Sequence, residues 1–574
     1  MPTPQQVEAI VGMSNDSQRV RLGSSPMASR TVIAVDPDRL FGRHLAVLGN
    51  TGSGKSCTVA GLIRWSLSAA DGAIKAEKRD GRPNARFIVL DPNGEYARAF
   101  ADLEDKARVF RVPPVSSPER ALQVPAWLWN GHEWAAVAQA QPAVQRPLLM
   151  QGLRDLKAGQ VTAVPRRAIV RRYLVSYEVR VLALLHAGTQ GFAGTPKARF
   201  ACAELLGSIA AECKLFGAEL GDPEGPQLQK VAATTEAVLE SRRDPKNKEY
   251  FRDFLASDLE TVRTQLNAVS VVLPDHGPAA SITEDTPTVF DVTLLADHLE
   301  RIAAEQGGNL AGFMSSLGLR IRGMLADHRL SSVVGGESPM AFEKWLNDYV
   351  GSNGAACGAV AIVDLSLVPS EIIHVVVAVL SRLIFEASQR YRRHHSEGRP
   401  LPTVLVLEEA HTFVRRGRDD EGAAETPARL CREAFERIAR EGRKFGLGLV
   451  LSSQRPSELS PTVLAQCNTF LLHRIVNDSD QELVARLVPD NVGGLLRELP
   501  SLPSRQAILL GWATPIPVLV DIDELPDEHR PQSSDPDFWD VWTLRSERSI
   551  DWGAISREWA GPKDGSSSEE ASET

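Results

Sequence analysis

The sequence predicts an α/β fold, a mostly parallel sheet built from two segments of chain with a largely helical insertion between them. Three observations carry this expectation. The apolar run Leu45-Ala46-Val47-Leu48 leads into the glycine-rich turn Gly49-Asn50-Thr51-Gly52-Ser53-Gly54-Lys55-Ser56, and a helical pattern follows from Cys57 to Ile63. Similar short apolar runs, several ending in polar or acidic residues, recur over the second half of the chain. From 116 to 345, by contrast, long amphipathic stretches alternate with polar connections and few strand-like runs. Strand, loop, helix and strand at the first of these spacings make the βαβ unit of a parallel sheet.

Composition narrows the function classes. At 574 residues the chain has room for two or three domains. Its 43% hydrophobic and 24% charged residues are those of a folded globular protein, not a fibrous or disordered one. The net charge of −9 argues against a surface that coats nucleic acid indiscriminately, so any DNA contact must be confined to a local basic channel. Six cysteines (Cys57, Cys202, Cys213, Cys357, Cys431, Cys467) show no C-x-x-C or Cys/His spacing, and neither disulfides nor structural zinc are expected. The start, Met1-Pro2-Thr3-Pro4, lacks the basic and apolar regions of a secretion signal. The most apolar window, Ile372 to Phe385, is interrupted by His374 and Arg382 and is too short to span a bilayer. A buried helix in a cytoplasmic protein with no membrane partner is the expectation.

Taken in order, residues 1–30 form a short N-terminal segment with one alternating stretch, Gln18 to Leu22. The first part of the core, 31–115, holds strands at Thr31–Val35, Leu45–Leu48 and Arg86–Leu90, the last ending in Asp91-Pro92-Asn93-Gly94-Glu95-Tyr96. In the helical insertion, 116–345, the basic clusters Arg166-Arg167 with Arg171-Arg172, and Arg242-Arg243, read as solvated helix faces. The core resumes over 346–525 with strands at Ala359–Leu365, Thr403–Leu407 and Leu447–Leu451. A helix from about Pro427 to Lys444 is stopped at Gly446, and further strands are expected near 469–472, 506–510 and 517–520. Four of the ten tryptophans (Trp539, Trp542, Trp552, Trp559) fall in 526–560, a segment expected to dock on its own core or on a neighbouring subunit. The acidic, serine-rich 561–574 reads as disordered.

The glycine-rich turn fits G-x-x-x-x-G-K-[ST]. Glycines let the backbone curl so that successive N–H groups and the helix N-terminus face an anion, Lys55 reaches the β- and γ-phosphates, and Ser56 ligates Mg²⁺. The nucleotide-binding set is therefore Gly49, Asn50, Thr51, Gly52, Ser53, Gly54, Lys55 and Ser56, with Cys57 adjoining. Glu408 and Glu409 end an apolar strand, the first placed to hold the metal shell and the second to polarise the attacking water. Asp-Glu is the usual ending; here a glutamate, one methylene longer, stands at the metal position. Gln454 ends the next strand, where a polar side chain senses the γ-phosphate. Asp91, Asn93 and Glu95 either border this site or simply form a turn. Arg443 lies near the C-terminus of its helix, where a basic residue also suits the helix dipole.

Together, Arg43 to Gly49 with the phosphate loop, Asp91 to Tyr96, Glu408-Glu409-Ala410-His411, Glu441-Gly442-Arg443-Lys444 and Ser452 to Pro456 resemble the HerA branch of the HerA/FtsK ATPases. The resemblance spans both core parts. It implies a RecA-like P-loop fold, ATP and Mg²⁺ as cofactors, and a homo-hexameric ring that pulls double-stranded DNA through its pore. It also implies that Arg443 matches the family's arginine finger and reaches the site of the next protomer, a contribution worth several orders of magnitude in phosphoryl transfer. Arg415, Arg416 and Arg418 would line the channel in six copies. The partners it implies are a NurA-type or other nuclease, or a sirtuin-like NADase, in DNA processing or defence. Only about thirty residues precede the core, so the family's small N-terminal β-barrel is expected to be absent or truncated. The competing reading is a ring scaffold that binds ATP and activates an effector without moving DNA. A signalling GTPase is disfavoured because no Asn-Lys-x-Asp sequence is present, and a conjugation-type pump because no membrane anchor accompanies the core.

Overall fold

The computed structural model describes residues 19–28, 30–103, 107–113, 119–159, 166–247, 250–273, 282–306, 310–335, 340–352, 359–417, 426–487, 493–533 and 537–560. Among the described residues twelve strands form one sheet: β1 (Val20–Ser25), β2 (Thr31–Val35), β3 (Leu45–Leu48), β4 (Phe87–Asp91), β5 (Ala107–Arg111), β6 (Arg120–Ala121), β7 (Val360–Asp364), β8 (Thr403–Leu407), β9 (Leu447–Ser453), β10 (Thr469–Leu472), β11 (Gln506–Gly511) and β12 (Val518–Ile522). Their order is β2-β1-β12-β11-β10-β3-β9-β8-β4-β7-β5-β6. From β10 to β6 every neighbouring pair is parallel, and from β10 to β2 every pair is antiparallel. The α/β class and the mostly parallel sheet expected from the sequence are therefore what is found.

The parallel strands β3, β4, β7, β8 and β9 are buried along their whole length. A parallel sheet covered by helices on both faces requires continuous Val/Ile/Leu runs of this kind rather than alternation. The helix Lys55–Ala76 packs through Val59, Leu62, Ile63 and Leu67 into the core that includes Val47, Val89, Ile362 and Val406. The apolar window around 372–385 forms the helix Ile373–His394, whose partly buried Arg382 donates to both Glu133 oxygens at 2.7 and 2.9 Å. Among the described residues no helix is long and apolar enough to cross a membrane.

The chain divides into two compact units, one of 1–153 with 284–574 and one of Arg154–Thr283. The second has its own core of Leu206, Ile209, Leu228, Val262 and Leu266, drawn from the helices Pro196–Leu220, Glu224–Arg242 and Ala256–Ser270. It is narrower than the 116–345 insertion expected. The flanking stretches belong with the sheet: β6 pairs with β5, and Tyr349 stacks on Phe110 with ring centroids 4.2 Å apart. Amphipathic helices read alike whether they cover a sheet or one another, so periodicity did not separate them. Within the second unit Arg167 pairs with Glu224, Arg242 with Asp258, and Arg243 with Glu240.

Three other expectations differ in detail. The helix Pro427–Glu441 ends before Arg443, which lies on a 3-10 turn, Gly442–Phe445, closed by Gly446 at φ 82°. Part of the 1–30 segment is a strand, since β1 hydrogen-bonds to both β2 and β12. The four C-terminal tryptophans are 66–85% exposed on this chain, so they do not pack on its own core. Cys357, Arg418 and the acidic 561–574 lie outside the described residues.

Candidate functional site

The C-terminal ends of β3, β4, β8 and β9 deliver the sequence-predicted residues to one edge of the sheet. After β3 the chain enters the phosphate loop, where Gly52 (φ 71°) and Gly54 (φ 97°) adopt the left-handed backbone that favours glycine. At Gly52 there is open space beside the Cα, so conformation rather than crowding requires the glycine. The helix Lys55–Ala76 begins at Gly54 with no side-chain cap. Its first N–H groups are thus open to an anion, as a phosphate cradle requires.

A cavity of about 330 Å³ opens over this loop, lined by Thr51, Lys55, Ser56, Cys57, Glu409 and Gln454, among others. Asn93 and Glu95 also line it, while Asp91 does not. Instead Asp91 is fully buried and accepts from the N–H groups of Asn93, Gly94 and Tyr96 at 3.2, 3.0 and 2.8 Å. Of the two open readings of this stretch, Asn93 and Glu95 border the cavity and Asp91 builds the turn that puts them there.

Glu408 is 1% exposed and held by two hydroxyls: Ser56 Oγ donates to Oε1 at 2.9 Å, and Tyr96 Oη donates to Oε2 at 2.9 Å. These contacts set the reach of the longer carboxylate. Burial raises the Glu408 pKa, and the Lys55 charge and the Tyr96 hydrogen bond pull it back. Glu409 sits at φ 44°, a left-handed conformation that costs a non-glycine residue roughly 1–3 kcal/mol. That backbone turns its side chain into the cavity. Gln454 joins the two walls, accepting from Thr51 Oγ1 and donating through Nε2 to Glu409 Oε1. The second Glu409 oxygen is buried without a hydrogen-bond partner, 3.3 Å from His411 Nδ1.

The donor set suits Mg²⁺. Ser56 Oγ and Glu408 are hard oxygen ligands beside the expected position of phosphates, and Mg²⁺ characteristically takes one or two protein oxygens and completes its octahedron with phosphates and water. Among the described residues there is no cluster of three or more His, Cys, Asp or Glu that could hold a metal by itself.

Arg443 is not part of this edge. It lies beside the N-terminal end of β9, whereas Gln454 follows the C-terminal end, and seven strand residues put about 20 Å between the two. Its platform is tied down by His44, whose Nδ1 accepts from the Leu449 N–H at 3.0 Å while Nε2 meets the Ala439 carbonyl at 2.9 Å. Burial lowers the His44 pKa, which keeps the ring in the neutral form that this pairing needs. Arg415 pairs with Glu458 at 3.6 Å and the Arg416 N–H bonds the Glu458 carbonyl, so both sit on a loop held against the turn after β9.

Sequence reasoning missed the residues that close the cavity from the C-terminal side. β12 runs parallel to β3 through β11 and β10, and so its end emerges at the same edge. Glu524 there binds both Arg505 and Arg530, and all three line the cavity. Nothing local marks them. Tyr96 was visible in its motif but carried no assigned role.

The fold and this edge have the arrangement of a P-loop nucleotide site at the end of a mostly parallel sheet. Residues 20–193 match the family model described as the helicase HerA central domain. A probable helicase of Methanocaldococcus jannaschii is 44% identical over 122 residues, 21% of this chain and 22% of that protein. The DNA double-strand break repair helicase HerA of Sulfolobus acidocaldarius is 30% identical over 207 residues, 35% of this chain and 40% of its own length. These matches are likenesses over part of the chain to HerA-type helicases. The chain spans less than half the length of either relative. Among solved structures, VirB4 of Thermoanaerobacter pseudethanolicus is similar at 14% identity, with 90% of this chain and 100% of that chain covered and a TM-score of 0.41.

Proposed function

We propose that this chain is a Mg²⁺-dependent ATPase that works as a homo-hexameric ring moving double-stranded DNA. The observation that carries the reading is the division of the site. Lys55, Ser56, Glu408, Glu409 and Gln454 form one wall at one edge of the sheet, while Arg443 stands at the opposite edge, about 20 Å away along β9. A head-to-tail contact between identical copies brings the two edges together and, repeated, closes a ring.

Each residue then has a task. The loop N–H groups and Lys55 hold the phosphates, and Ser56 with Glu408 holds the metal. When bound, Mg²⁺ neutralises charge on the β- and γ-phosphates. Glu409 accepts a proton from the attacking water, Gln454 senses the γ-phosphate, and Arg443 of the next copy stabilises the charge that develops there. Arg415, Arg416 and Arg418 contact DNA phosphates in the channel. The exposed tryptophans beyond Asp537 dock on the adjacent copy. An effector partner, a NurA-type or other nuclease or a sirtuin-like NADase, and a role in DNA processing or antiphage defence, rest on the family resemblance.

The test is complementation. Lys55→Ala and Arg443→Ala should each abolish turnover, and mixing the two should restore it, because some interfaces then carry an intact loop and an intact finger. Full activity of Arg443→Ala alone would overturn the shared site. Duplex DNA should raise turnover and ATP should drive movement along it; an ATP-dependent ring that does neither is the scaffold.

A further inference from the structure

A cavity of about 650 Å³ lies between the second half of the helix Lys55–Ala76 and the first residues of β4, β8 and β9. The sequence of the helix explains the space. In its first half Val59, Leu62, Ile63 and Leu67 pack onto the sheet, but Ser66, Ala69, Ala70 and Ala73, spaced i, i+3, i+4 and i+7 on one face, are too short to close the gap. Phe41 and Phe87, edge to face with ring centroids 5.6 Å apart, make an aromatic wall. Among these apolar groups the chain places one buried guanidinium. Arg86 is 4% exposed; its Nη atoms donate to the carbonyls of Asn84 at 3.4 Å and Ser352 at 2.9 Å, and its Nε is buried without a hydrogen-bond partner. Among the described residues no carboxylate is paired with it, whereas Arg111 and Arg382 meet Asp364 and Glu133. A buried charge without a counter-ion and a buried donor without an acceptor are both costly.

We propose that this cavity binds a small organic acid, an apolar body carrying a single carboxylate, with the carboxylate on Arg86 and the body between the alanine face of the helix and the rings of Phe41 and Phe87. Several hundred cubic ångströms of mainly apolar lining with one placed charge is the usual form of a small-molecule site. A guanidinium is the side chain best matched to a carboxylate, and Nε is the donor left for it. A polyphosphate is disfavoured, because Asp36 and Asp38 also line the cavity and oppose several negative charges at once. Asp36 does not neutralise Arg86: it caps the helix Pro37–Phe41, accepting from the Asp38 N–H at 2.8 Å. Binding here does not depend on how copies of the chain assemble, although Arg443 and Gly446 also line the cavity and an occupant would touch their turn.

The test is calorimetric titration of the full chain with 2-naphthoate and with decanoate, an aromatic and an aliphatic acid of this class. Saturable binding of at least one of them, one equivalent per chain, is expected, and the uncharged amide of the same body should bind at least about tenfold more weakly. Arg86→Gln should weaken binding of the acid about tenfold or more. Ala70→Leu, which keeps Arg86 and fills the cavity from the helix, should do the same, so the test stands even where loss of Arg86 unfolds the chain; thermal melting checks both variants. Equal affinity of the acid for the parent and for either folded variant overturns the proposal, since the acid is then bound elsewhere, as on the exposed tryptophans. Saturable binding of neither acid below about 1 mM also overturns it, as does an amide that binds as tightly as its acid.

Discussion

Removing one oxygen from Tyr96 should disable the metal wall without disturbing the fold. The ring is fully buried, and its hydroxyl is one of two that fix the Glu408 carboxylate, at 2.9 Å, with the Ser56 carbonyl 3.3 Å away. A hydrogen bond to a charged group is worth roughly 1.5–3 kcal/mol, and each 1.4 kcal/mol is tenfold in rate, so Tyr96→Phe should lower kcat about 10- to 100-fold. The sign of the pH effect follows from Glu408. Its ionised form is the working one, so turnover is lost as pH falls through its pKa. Burial already raises that pKa and the Tyr96 hydrogen bond lowers it. Its loss should therefore move the acid limb of the pH–rate profile upward. The assay is steady-state Mg-ATP turnover across pH for both proteins, with thermal melting as the control for folding. An unmoved acid limb and a kcat within twofold of the parent would refute the positioning argument, even if the variant were slightly less stable.

Asp91 makes stability fall with pH. Chiefly through burial, its pKa is pushed up to about 7, so over the interval between its unfolded value of about 4 and 7 the folded state holds a proton that the unfolded chain has released. The stability present below that interval is lost as pH rises through it, and urea unfolding from pH 4.5 to 8 should show a shallower slope in Asp91→Asn. Arg382→Ala strands the buried Glu133 carboxylate, which also caps the helix Gly131–Val137, and should cost about 3–5 kcal/mol by urea unfolding. A smaller loss than about 1 kcal/mol would mean that water reaches Glu133. Truncation before Phe538, which removes the exposed tryptophans and keeps the sheet, should shift the assembly to smaller species by native mass measurement; an unchanged mass distribution would remove their docking role.

The elements that were legible in the sequence share a feature: their geometry is set within a few residues. A phosphate loop is a local sequence of permitted backbone angles between a strand and a helix, and β3, β4, β7, β8 and β9 are continuous apolar runs because both faces of a parallel sheet are covered. Glu408, Glu409 and Gln454 were likewise visible because strand ends on a parallel sheet must meet at one edge. The extent of the helical unit was not legible, because the helices flanking Arg154–Thr283 bury apolar stripes of the same period against different partners.

By itself, then, the sequence determined the class of fold, the phosphate loop and the identity of the acids opposite it, all consequences of short-range pattern. Only the tertiary structure decided how those groups are related. It put Tyr96 on Glu408, turned Asp91 away from the cavity that Asn93 and Glu95 line, brought Glu524, Arg505 and Arg530 from the far end of the chain to its mouth, and set Arg443 at the other end of β9 among four further cations. The reason is physical: which residues meet across a sheet depends on strand order and direction, and no local pattern of side chains encodes an order such as β12-β11-β10-β3-β9.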